Sequence, residues 1–163
     1  MYSDDFRENY VITPKKGTTG NERFYIMALD DIDNSEHYWY KSAYNKMTID
    51  TSEDFEKGKE NTQTMISQWN SNKYPPQDDN DMWGLILTQV NSGWFVPSRA
   101  EWSAFAEELG ITKDNFVNYN LSDWYWSSSQ GNTHGAWYAA FDGGYMNRNA
   151  VNNDISVRLA ATF

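Results

Sequence analysis

Cysteine is absent from these 163 residues, so disulfides, thiolate metal sites and a cysteine nucleophile are all excluded. Histidine is scarce: His37 and His134 lie in different segments, and two histidines without cysteines do not make a zinc centre. Positive charge is in deficit, with Lys+Arg 13 against Asp+Glu 23 and a net charge of −10. That balance disfavours a general affinity for nucleic acid or an anionic membrane, a local basic spot aside. No apolar run approaches the ~20 residues of a membrane-spanning helix. The opening MYSDDFRENY lacks the basic and apolar regions of a signal peptide, so a surface location requires another export route or a leader outside this chain.

Aromatic residues, by contrast, are abundant (Trp 8, Tyr 11, Phe 8). Disordered chains are poor in them, so the composition points to a folded globular protein, and 163 residues suit one domain with a substantial core. Residues 1–20, with Pro14 and the cluster KKGTTGN, read as an extended arm and a turn. RFYIMAL (23–29) and HYWYKSAY (37–44) read as strands, with DDIDNSE between them a solvated acidic turn that lacks the glycine and closing glutamate of a calcium loop. In the second half of 52–70, Thr62, Met65, Ile66 and Trp69 recur at helical spacing. NSNKYPPQDDND is a loop. Ser98 and Glu101 then form a capping box after Pro97, Trp102, Phe105, Ala106 and Leu109 share one face, and Gly110 supplies the stop. After this second helix come short strands: WYWSSS, AWYAAF, GYMN and ISVRLAA. The order is that of an α+β domain, two helices on a small twisted, mostly antiparallel sheet, with RFYIMAL and ISVRLAA expected to pair.

Catalytic patterns are weak. A Ser-His-Asp set is formally available from the serines after Trp126 and from His134, but no strand-turn-helix elbow presents a serine. The serines fit better as a strand whose hydroxyls satisfy backbone groups. Glu107 and Glu108 are helix neighbours that point apart, and Gly143-Gly144 suits a hairpin turn better than a phosphate loop. No cofactor is expected and no metal is assigned.

The closing stretch is different in kind. In AWYAAF, alternation sets Trp137, Ala139 and Phe141 on one face and Tyr138, Ala140 and Asp142 on the other. With the first set inward, the second faces out; Met146 then faces in and Tyr145 and Asn147 out. NRNAVNND reads as an asparagine-rich loop. The exposed palette of His134, Tyr138, Tyr145, Asn147, Arg148 and Asn149 is that of a paratope, with rigid tyrosines for contact area and small polar residues for adaptable hydrogen bonding.

GWFVPSRAEW, WYWSSS, AWYAAFDGGYMN and VRLA together resemble the signature of bacterial and phage surface domains of the C-type-lectin fold, and most closely the variable proteins of diversity-generating retroelements. GKENTQTMI (58–66) is similar to that pattern's first helix, and the resemblance runs from Gly58 to Ala160. It implies that a reverse transcriptase rewrites template adenines, turning Asn codons into a menu that excludes Trp, Met, Gln, Lys and Glu. Asn132, Thr133, His134, Tyr138, Ala140, Asp142, Tyr145, Asn147, Arg148, Asn149, Asn152, Asn153 and Asp154 all fall within that menu, whereas Trp137 and Met146 do not. The resemblance thus implies non-catalytic binding of a protein or glycan on a target cell, by a protein of a phage virion or bacterial surface. A fixed adhesive or pilus module without exchange is the alternative. Calcium-dependent lectins of this fold carry paired motifs of which only NND (152–154) has a counterpart here.

Overall fold

The computed structural model describes residues 10–12 and 24–162. Apart from Tyr10–Ile12, the expected arm over 1–20 therefore lies outside the described residues. Tyr10–Ile12 form strand β1, antiparallel to β2 (Tyr25–Met27), which in turn pairs antiparallel with β8 (Ala160–Thr162). The expected meeting of the two best buried-strand candidates is therefore present. It is shorter than the apolar runs, because the chain between Ile155 and Ala160 leaves regular pairing. His37 and Tyr38 form β3 against β7 (Asp154–Ile155), and the strand expected over HYWYKSAY stops there, with Lys41–Ala43 making a 3-10 turn.

The expected first helix is α1 (Gly58–Asn70). Thr62 and Met65 are fully buried, and Ile66 and Trp69 pack on the core. Two short helices that periodicity does not reveal follow, α2 (Met82–Leu85) and α3 (Leu87–Asn91). Asp81, just before α2, is fully buried and accepts from the Lys41 and Asp78 backbone N–H groups (2.8 and 3.1 Å) and from Trp69 Nε1 (3.0 Å). Burial raises its pKa while these donors lower it.

The second expected helix is α4 (Arg99–Leu109), with both hydrogen bonds of the capping box formed and Gly110 left-handed at φ 66°. Glu101 does more than close that box. Its carboxylate accepts from the Ser98 N–H at 2.7 Å and from backbone N–H groups of Gly58 and Glu56, so one side chain serves the starts of both α1 and α4. A Cβ on Gly58 would stand 2.1 Å from Glu101 Oε2, so only glycine lets the carboxylate this close.

Strands β4 (Trp124–Gln130), β5 (Gly135–Ala140) and β6 (Tyr145–Ala150) form the remaining sheet, all antiparallel, with β5 in the middle. Its two faces feed different cores. Trp126, Ala136, Tyr138 and Ala140 join Trp39, Met65, Trp83 and Ile155. Tyr125, Ala139 and Phe141 join Phe95, Trp102 and Phe105 of the α4 side. The architecture is α+β, with helices against antiparallel sheets.

The acidic turn after β2 is structural rather than merely solvated. Asp31 Oδ1 accepts from Arg158 Nε (2.7 Å) and the Tyr125 hydroxyl (2.8 Å), and Arg158 is 1% exposed. His37, also buried, sets its two ring nitrogens against Asp33 Oδ1 (2.7 Å) and Asn80 Oδ1 (2.6 Å).

Candidate binding surface

The chain from 130 to 155 builds one surface from a hairpin and two flanking loops. The hairpin turn follows from sequence: Gly144 sits at φ 72°, and its N–H closes onto the Ala140 carbonyl at 2.8 Å. Gly143 leaves room for the Tyr145 ring, which lies where a Cβ would come within 2.2 Å of it. Along β6 the register sets Tyr145, Asn147 and Asn149 opposite Ala140, Tyr138 and Ala136.

Most of the expected outward residues are outward. Thr133, His134, Asp142, Tyr145, Asn147, Arg148, Asn152, Asn153 and Asp154 are exposed, and Asn132 and Asn149 are half-buried. Two are not: Tyr138 is 6% and Ala140 2% exposed. Simple alternation assumes one wet face, whereas β5 is the central strand of a sheet covered on both sides, so both sets turn into a core. Tyr138 packs against Trp124 and Trp126, with ring centroids 5.4 and 6.5 Å away. Burial raises its hydroxyl pKa, with Tyr145 and Asp142 adding to the effect.

Trp137 reverses in the other direction. Expected in the core, it is half-buried at the rim where α4 begins. Its ring lies 4.3 Å from the Arg99 guanidinium and 5.3 Å from that of Arg148, and its Nε1 donates to Glu53 Oε1 at 2.6 Å. The region read as an Asn-rich loop is also corrected: residues 147–150 continue β6, and only Val151–Asn153 turn before β7. Polar side chains hide a strand from periodicity when the strand lies at a sheet edge.

Two aromatics complete the surface. Trp124, 37% exposed, donates from Nε1 to Asp142 Oδ1 at 2.8 Å, tying the start of β4 to the hairpin turn. The 124/126 alternation is visible in DWYW, yet nothing local says that Trp124 outruns the core that Trp126 fills. Tyr44, 39% exposed, meets the His134 ring edge-on at 6.0 Å. Between α4 and the hairpin lies a cleft of about 310 Å³, walled by Trp102, Ala106, Ile111, Phe141, Tyr145 and Met146.

The serines of WYWSSS are fully buried and engaged. Ser127 Oγ accepts from the Ser129 N–H, Ser128 Oγ from Asn61 Nδ2, and Ser129 Oγ bonds the Ser52 carbonyl and the Arg99 N–H. They satisfy backbone and amide groups, as their pattern predicts. His134 instead contacts the neighbouring Thr133 hydroxyl at 3.2 Å. Among the described residues no cluster of three or more His, Asp or Glu is placed to hold a metal ion, and no helix is long and apolar enough to cross a membrane. No protein-family model matches the chain, and no curated protein matches it.

Proposed function

We propose that this chain is a non-catalytic binding module of C-type-lectin type whose ligand, a protein or glycan on a target cell, contacts the β6 strand and the loops at 132–134 and 152–154. The observation that carries the reading is the contrast within one hairpin. Strand β5 is locked between two cores, while β6, paired to it residue for residue, presents Tyr145, Asn147 and Arg148 to solvent. Rigid support beneath a polar and aromatic display keeps the ordering cost of binding low. The pairing of β2 with β8, joining early and late segments of the described chain, and the two longer helices flanking the sheets support the lectin-type reading of the fold.

The proposal includes exchange of this surface by a retroelement, on a phage virion or bacterial surface. The displayed residues lie within the exchange menu, and the aromatics that frame them, Trp124, Trp126 and Trp137, lie outside it. A reverse-transcriptase gene beside this one, with a near-copy of the DNA for 126–158 that differs only at adenines, is the expected finding. A neighbourhood without that pair removes the exchange. Binding is tested with labelled chain on a panel of bacterial cells. Adhesion lost on Tyr145→Ala or Asn147→Ala at unchanged melting temperature supports this surface, and adhesion indifferent to both moves the site elsewhere.

A further inference from the structure

Strand β6 is the outer strand of its sheet, bonded to β5 and, among the described residues, to no strand beyond. In an antiparallel ladder, residues alternate between those whose backbone N–H and C=O bond the partner and those whose groups point away from it. The Arg148 N–H is bonded by Asn147 Oδ1 at 2.8 Å, and the Ala150 N–H by Asn149 Oδ1 at 2.9 Å. These two donors, two residues apart, therefore belong to the row that points away from β5. The Ala150 carbonyl is also occupied, by the Asn153 N–H at 2.9 Å, and Asn153 Nδ2 holds Asn149 Oδ1 at 2.7 Å.

An exposed row of edge donors is a template for an incoming strand, and proteins close such edges with proline, bulges or projecting charge. YMNRNA has no proline, and its one charge, Arg148, is turned onto the sheet face with its stem over Gly131 and its guanidinium by Trp137. We infer that Asn147 and Asn149 are edge guards: their amide oxygens occupy the two outward N–H donors and keep β6 from pairing with β6 of a second copy of this chain. The inference rests on these hydrogen bonds and not on the binding proposed above. Taken with that proposal, it limits exchange. Of side chains in the menu, only Asn and Asp carry an oxygen at this reach on a planar group, so other residues at 147 and 149 change self-association as well as ligand contact.

The wild-type chain supplies the first test, by amide exchange in dilute solution. Arg148 and Ala150 should exchange roughly five- to tenfold more slowly than Met146, the remaining outward residue of β6, from the loss of one hydrogen bond's protection. Equal rates at the three amides overturn the inference. The second test is sedimentation over a wide concentration range. N147A/N149A should shift to larger species as concentration rises, while wild type holds one sedimentation coefficient. An alanine pair that sediments like wild type overturns it.

Discussion

Glu101 carries a carboxyl into the interior, 1% exposed. Burial pushes its carboxyl from 4.5 up to about 7, against backbone N–H groups at Ser98, Gly58 and Glu56 that pull it down. A folded-state value above the unfolded one means that the folded protein holds the proton more tightly. The associated stability is complete below pH 4.5, falls as pH rises, and is gone above about pH 7. At about 1.4 kcal/mol per pKa unit the loss is on the order of 3 kcal/mol. Glu101→Gln should flatten the fall in melting temperature between those two pH values; a slope identical to wild type rejects the assignment. Tyr138 and Tyr145 make a second residue-scale test, because they sit on one face of adjacent strands yet differ in burial, 6% against 51% exposed. Tyr138→Ala should lower stability by about 3–5 kcal/mol and Tyr145→Ala by under about 1 kcal/mol, read from denaturant melts. Equal losses would mean that the exposed ring is a core element.

At the scale of elements, the starts of α1 and α4 are one device. Ser98 caps α4, Glu101 returns to Ser98 and also serves the first turn of α1, and Gly58 makes the space. Gly58→Ala should cost about 1–3 kcal/mol by overpacking against Glu101 Oε2, the Val96 carbonyl at 2.8 Å and the Phe95 ring at 2.9 Å. Because the first clash is with Glu101, the Gly58→Ala/Glu101→Ala pair should lose less than the sum of the single losses by at least about 0.5 kcal/mol. Additive losses would show that backbone crowding from Val96, and not the shared carboxylate, is the obstacle. The capping box is legible in PSRAE; its second client is not, since Gly58 lies 43 positions away and only packing brings it near.

Across the whole molecule, the tie between the beginning and the end of the described chain runs through Arg158. Its guanidinium bonds Asp31 Oδ1 and the Ala28 and Asn120 carbonyls and lies 5.5 Å from the Tyr125 ring. Burial holds the Tyr125 hydroxyl up at about 12, so it remains a donor to Asp31 at any physiological pH. Arg158→Ala leaves the partly exposed Asp31 carboxylate and two carbonyls without their shared donor and should cost about 1–3 kcal/mol. Arg158→Lys keeps the charge but not the fork, and should lose less. A loss below about 1 kcal/mol for the alanine variant would show that the β2–β8 pairing alone holds the two ends together.

By itself the sequence determined what local periodicity and local chemistry determine. The helix over 99–109 with both its caps, the buried face of α1, the hairpin at Gly143-Gly144, the hydrogen-bonding task of the three serines and the α+β order are all written within a few residues of where they act. Tertiary structure decided whatever depends on the number of layers covering a strand. Alternation in AWYAAF says that 137 and 139 share a face, but which face meets water depends on α4, α1 and the 39–49 segment, which arrive from elsewhere in the chain. With both faces of β5 covered, Tyr138 is core, and Trp137, at the rim beyond the first turn of α4, is not. The same dependence turned an acidic turn into the anchor of Arg158, and an asparagine-rich loop into an edge strand, because a partner 127 residues away or a neighbouring strand leaves no mark in the local pattern of either.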